Sequence, residues 1–235
     1  MIIKVCGLRD PDNIRAVEAL CVDFLGFIFC EASPRYVSML PSYSGIVPDK
    51  ASRAFTNSSS PSSVKGKQPK RVGVFVDDMA QNIITRVYNF HLDYVQLHGS
   101  ETPVAIDNLR RTIDPDIHQG IKIIKTISVS SADDMLKGHD YEGHADMLLF
   151  DTKCATFGGS GNKFDWTLIE RYDGSLPFLL SGGIGPDDAA AICSLKHPLL
   201  AGIDVNSRFE TAPGVKDIGL LETFVNYIRS HTSKS

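Results

Sequence analysis

Nowhere does this sequence sustain the roughly 18–20 apolar residues that a helix needs to cross a bilayer. The first residues, MIIKVCGLRD, turn charged after a few apolar positions, too soon for a signal peptide. A soluble, cytoplasmic protein is therefore expected, without a membrane partner. Basic clusters are also scarce: 24 Lys plus Arg face 28 Asp plus Glu, a formal charge of −4. With no Lys/Arg stripe, nucleic acid is not an expected partner. An anionic small molecule stays compatible, because local donors rather than net charge hold such ligands. The five cysteines (Cys6, Cys21, Cys30, Cys154 and Cys193) are odd in number, widely spaced and form no C-x-x-C pair. Neither a disulfide framework nor a zinc site is suggested, and a reducing compartment fits best.

What is present is ordinary globular composition, 235 residues with 43% hydrophobic, enough for one sizeable core. Short runs rich in Val, Ile, Leu and Phe recur at 2–5, 24–29, 72–76, 94–97, 121–127, 147–150, 178–180 and 202–205. Such runs suit strands buried on both faces. Between them helical spacing appears at 12–20, 79–90, 103–113, 132–136, 166–172, 186–195 and 218–230. Asp10-Pro11, Asp77-Asp78 and Gly185-Pro186 stand where helices would begin. Strands alternating with helices imply parallel pairing, and eight such units fit a closed (β/α)8 TIM barrel, with a doubly wound sheet as the alternative. The whole chain, 1–235, reads as one domain. Within it Thr56–Pro69 is Ser/Pro/Lys-rich with scarcely an apolar residue, and is expected to be a mobile surface insertion after the second strand.

Polar residues at the ends of apolar strands are the informative ones, since that end of a barrel carries the active site. Lys4 and Cys6, Gln96 and His98, and Asp204 and Asn206 each have i, i+2 spacing, which puts both members on one face. Asp151 directly follows the sixth run. Singly, each has a plain alternative. Cys6 reads as a small buried hydrophobe, Asp151 as a turn or helix cap, His98 as a satisfied core imidazole, and Lys4 and Asp204 as partners for charges inside the barrel. Together they deliver polar groups to one end, as a site requires. Ser181-Gly182-Gly183 and Asn206-Ser207-Arg208 follow the seventh and eighth runs, where such barrels often hold phosphate. Gly158-Gly159-Ser160-Gly161 reads equally as an active-site loop or a hinge.

The segments KVCGL (4–8), SPR (33–35), VGVFV (72–76), VQLHGSE (95–101), LLFDT (148–152), GGSG…FDW (158–166), LSGGI (180–184) and GIDVNSRFE…PGVKD (202–217) occur in one order. In that order they resemble the phosphoribosylanthranilate isomerase family over nearly the whole chain. The resemblance implies a (β/α)8 isomerase of tryptophan biosynthesis that performs an Amadori rearrangement on a small phosphorylated substrate, without a metal or organic cofactor. It implies Asp151 as general acid on the furanose ring oxygen and Cys6 as general base at ribose C2. It further implies Arg35 on the anthranilate carboxylate, His98 beside the anthranilate, and backbone donors around Gly183 and Ser207 on the phosphate. Asn206-Ser207-Arg208-Phe209 departs from the smaller residues common there. A monomer or homodimer is expected, and relatives can be fused to or associated with other tryptophan-pathway enzymes. Chemistry adds a demand: an acid near neutral pH must keep its proton, whereas a thiol base must yield one and needs a cation nearby, for which Lys4 is a candidate.

Three other readings stay open. Lys122 and Lys125 could serve an indole-3-glycerol-phosphate synthase, and a pentose-phosphate epimerase would want more His and Asp at strand ends than His98 supplies. A catalytically inert barrel used as a binding module is the third.

Overall fold

The computed structural model describes residues 1–38, 68–152 and 166–232. Most of the expected insertion, and the whole of Gly158–Gly161, lie outside the described residues.

Eight parallel strands close into a barrel in sequence order. They are β1 Ile2–Val5, β2 Phe24–Ile28, β3 Lys70–Phe75, β4 Tyr94–Leu97, β5 Lys122–Val129, β6 Met147–Thr152, β7 Phe178–Ser181 and β8 Leu200–Val205. Closure is made by β1 and β8, which pair Ile2 with Gly202 and Lys4 with Asp204. Helices α1 Pro11–Glu18, α2 Ala80–Phe90, α3 Pro103–Ile113, α4 Ala189–Ser194 and α5 Ile218–Thr232 pack outside.

Strand alternation sorts apolar residues into two cores. Phe24, Val72, Ile124, Met147, Leu149 and Leu179 fill the barrel interior. Ile3, Val5, Leu25, Val95, Ile123, Leu148 and Phe150 face the helices, where they meet Ile14, Val17, Ile83, Val87 and Ile106. Capping chemistry explains where helices start. Asp10 accepts from Asn13 N–H at 2.8 Å with Pro11 behind it, and Thr102 likewise accepts from Ala105 N–H at 3.3 Å before Pro103.

Several expectations shift. Met79, not an aspartate, holds the N-cap position of α2. Asp78 instead accepts from Met79 N–H at 2.8 Å and Asn82 Nδ2 at 2.7 Å, while Asp77 accepts from Ser100 N–H at 2.6 Å. The helices expected over 132–136 and 166–172 are 3-10 helices, Ala132–Tyr141 and Trp166–Arg171. A 3-10 turn, Pro186–Asp188, precedes α4. The loop after β8 carries a 3-10 turn, Ser207–Phe209, and an unforeseen antiparallel pair, β9 Glu210–Ala212 with β10 Val215–Lys216.

Candidate active site

A cavity of about 220 Å³ opens among the C-terminal ends of the strands. Its wall includes Cys6 after β1, His98 after β4, Asp151 on β6, Asp204 on β8, and the turns at Gly183 and Ser207. Five of the six residues expected at the site therefore meet in one cavity. Arg35 stands beside it, as described below.

Cys6 is 4% exposed. Glycine at 26 makes room for it: a Cβ there would sit 2.8 Å from Cys6 Sγ and 3.0 Å from its Cα. Burial pushes the thiol above its ordinary pKa, opposed by the ammonium groups of Lys4 and Lys216 and reinforced by Asp204. Both cations that a thiolate would need are thus present, yet desolvation outweighs them. Lys4 was foreseen as one of these. Lys216, buried on β10, was not: it lies in the PGVKD segment, but its proximity comes from the hairpin after β8 folding back, which nothing local reveals.

Lys4 is fully buried and donates to Asp204 Oδ2 at 3.0 Å. Burial works against its charge, but Asp204 and Cys6 lift its pKa above the usual lysine value. Asp204 is pushed upward by burial, which Lys4 opposes. The other carboxylate oxygen of Asp204, Oδ1, is buried with no hydrogen-bond partner among the described residues. An acceptor left so at a cavity wall is ready for a ligand hydroxyl.

Asp151 belongs to β6 and pairs in register with Ser181 and Ser128. Alternation from Leu149, in the interior core, directs Asp151 to the cavity. His98 Nε2 lies 3.3 Å from Asp151 Oδ2. Beneath it Gln96, 1% exposed, sits with Nε2 3.4 Å from His98 Nδ1 and 3.1 Å from Thr126 Oγ1. His98 is a wall residue linked to an acid, not an isolated core imidazole.

Gly182 and Gly183 both have positive φ, +94° and +69°, a backbone that other residues adopt only at a cost. They turn the chain sharply after β7. Asn206, Ser207 and Arg208 face them from the loop after β8.

Arg35 does not line this cavity. Its Nε and Nη2 are engaged with Glu210, with Nη2 to Oε2 at 2.6 Å. Gly7, with φ +75°, lies between Arg35 and the site: a Cβ there would be 2.6 Å from both Arg35 Cδ and Asn206 Oδ1.

Lys122 and Lys125 take no part. Lys122 pairs with Asp146 at 2.9 Å near the opposite end of the barrel. Lys125 faces outward, donating to Gly99 O at 2.7 Å and Glu101 Oε2 at 2.9 Å. Neither can serve as the inward catalytic lysine of a synthase. Among the described residues no cluster of three or more His, Cys, Asp or Glu could hold a metal ion, and no helix is long and apolar enough to cross a membrane.

Known proteins share this fold and much of this sequence. Residues 37–227 match a family profile described as N-(5'phosphoribosyl)anthranilate (PRA) isomerase. An N-(5'-phosphoribosyl)anthranilate isomerase of Parabacteroides distasonis is 42% identical over 228 residues, covering 97% of this chain and 93% of that protein. The crystal structure of phosphoribosyl anthranilate isomerase from Thermotoga maritima superposes with a TM-score of 0.71 at 29% identity, covering 98% of this chain and 100% of that one. A phosphoribosyl anthranilate isomerase in complex with reduced 1-(o-carboxyphenylamino)-1-deoxyribulose 5-phosphate gives 0.70 at 26% identity, with coverage of 98% and 100%.

Proposed function

The chain belongs to the N-(5'-phosphoribosyl)anthranilate isomerase family, and on that footing we propose that Cys6 and Asp151 are the base and acid of its reaction. It is an isomerase of tryptophan biosynthesis, converting N-(5-phosphoribosyl)anthranilate to 1-(2-carboxyphenylamino)-1-deoxyribulose 5-phosphate. Asp151 gives its proton to the furanose ring oxygen while the C1–O bond breaks and the anilino nitrogen forms an iminium. Cys6, as thiolate, takes the proton from ribose C2, leaving an enolamine that tautomerises to the ketone. General acid and general base terms are each worth roughly 10²–10⁴ in rate.

The observation that carries this reading is the convergence of Cys6 and Asp151 on one cavity of about 220 Å³, from strands far apart in sequence. The ligand in the related complex has a phosphate at one end and a carboxyphenyl group at the other. Gly183 and Ser207 would take the phosphate through backbone N–H groups. His98 would stand beside the aromatic ring and steady Asp151. Arg35 would bind the carboxylate; with Nε and Nη2 on Glu210 among the described residues, the Nη1–Nη2 edge is the one turned to it. The same reading places the enzyme in the cytoplasm as a monomer or homodimer, states that light scattering separates.

Turnover of substrate generated in situ is the direct test. Cys6→Ser and Asp151→Asn should each lose at least about 10²-fold in kcat. Near-normal turnover in both variants would remove the mechanism, and an inactive wild type would favour the inert-barrel reading.

A further inference from the structure

Just beyond the cavity wall, a buried knot of charge ties together two regions that the reaction uses. Arg35 presents Nε and Nη2 to the carboxylate of Glu210 at 2.9, 3.0 and 2.6 Å. Lys216, with a fully buried side chain, donates to Glu210 Oε1 at 2.7 Å. Its ammonium also reaches the backbone oxygen and Oδ1 of Asn206, at 3.2 and 2.8 Å. Gly214 N–H adds a donor to Glu210 Oε1 at 3.1 Å. Two cations and an amide hold Glu210 below the usual carboxylate pKa although burial works against its charge.

The geometry is more specific than charge neutralisation needs. Two near-parallel N–H···O bonds fix the plane of a guanidinium, which a single contact would leave free to rotate. Asn206, held by the same ammonium, begins the loop that faces Gly183 across the cavity. Gly7, directly after Cys6, is wedged between Arg35 and Asn206 with no space for a side chain. Displacement of either neighbour would press on the backbone that carries the thiol.

We propose that Glu210 and Lys216 are positioning residues for the isomerisation. Glu210 sets the guanidinium of Arg35 so that its remaining edge meets the substrate carboxylate. Lys216 locks that setting to the Asn206 turn on the phosphate side, so the two ends of the substrate are placed by one buried ammonium. This inference rests on the reading of Arg35 given above.

Two stable ligands test it by titration calorimetry: the reduced carboxyphenylamino product, and the same compound with an unsubstituted phenyl ring. Wild type should prefer the carboxylated ligand by about 10- to 100-fold, the scale of a charge-assisted hydrogen bond. Arg35→Ala should abolish most of that preference. Glu210→Gln, neutral and of nearly the same shape, should lose a large part of it. Combining both should cost no more than Arg35→Ala alone, as expected of residues acting through one contact. With substrate, Glu210→Gln should raise KM more than it lowers kcat. Lys216→Met should erode the preference as well and also weaken binding of ribose 5-phosphate. Loss of folded protein lowers both affinities together and leaves their ratio unchanged, so a purely structural role gives a different result. A wild-type preference in Glu210→Gln, or additive losses in the double variant, overturns the inference while Arg35 keeps its role. A wild-type preference in Arg35→Ala removes the Arg35 reading, and the inference with it.

Discussion

Cys6 sits between opposed influences: a dry strand end that favours the thiol, and two buried ammonium groups that favour the thiolate. Because burial prevails, the ascending limb of kcat/KM against pH should lie above the ordinary thiol pKa. The sign of the Lys4 contribution can be tested without stranding a buried charge, since removing one partner of such a pair costs about 3–5 kcal/mol. Replacing Lys4 and Asp204 together, as Lys4→Met with Asp204→Asn, removes a large thiolate-favouring influence and a smaller opposing one. The limb should therefore move to still higher pH. An unmoved limb in the pH–rate profile would show that Cys6 is not the titrating base. Cys6, His98 and Asp151 were visible in the sequence because polar side chains interrupt apolar strands there. Lys216 and Glu210 fall within a quoted motif, but their roles were not visible, because their charges look like ordinary surface residues until the hairpin folds over them.

At the level of elements, the 3-10 helix Ala132–Tyr141 shows where periodicity misleads. The stretch carries acidic residues in its first turn and begins at Ser131, features shared with an α-helix start. What organises it is Asp134, whose Oδ2 accepts from the N–H groups of Ser130 and Ser131 at 2.9 and 3.0 Å. Lys137 donates to Oδ1 at 2.6 Å. Lys137 first, then these amides, hold the carboxyl down to about 2. A carboxyl depressed in the folded state stabilises above its unfolded pKa and loses that contribution as pH falls through the folded value. Asp134→Ala should therefore cost about 1 kcal/mol near neutral pH, the usual scale of a lost cap. The deficit should fade as pH falls from about 4 towards about 2. Urea denaturation at neutral pH and at pH about 2.5 would check this, and an equal deficit at both would refute it.

For the whole molecule, closure of the barrel joins the chain's two ends. Lys4 and Asp204 are partners across the β1–β8 seam, and α5 reaches the same seam from outside. Arg229 on α5 donates to Met1 O at 2.7 Å, Cys21 O at 2.9 Å and Asp23 Oδ2 at 2.5 Å. Asp23 in turn accepts from Ile3 N–H on β1 at 2.8 Å. Arg229→Ala should destabilise the fold by about 1–3 kcal/mol, because it removes charge-assisted bonds and leaves carbonyls short of a donor. The expected readout is a lower urea midpoint with kcat and KM unchanged, the site being at other residues of the fold. A midpoint within error of wild type would show that closure does not depend on this clasp.

The sequence alone carried the eight-fold alternation of strands and helices, though closure into a barrel rather than a doubly wound sheet came from the β1–β8 pairing. It also determined which strand ends carry polar groups, since a two-residue repeat settles the face each side chain takes once its strand is buried. Tertiary structure decided what those groups experience. It made Lys4 the partner of Asp204, brought Lys216 towards Cys6, set His98 against Asp151, and bound Arg35 to Glu210 instead of leaving it open to the cavity. Those pairings join residues as far apart in sequence as Cys6 and Lys216. Their energies depend on burial and distance, neither of which is encoded in any local stretch of the chain.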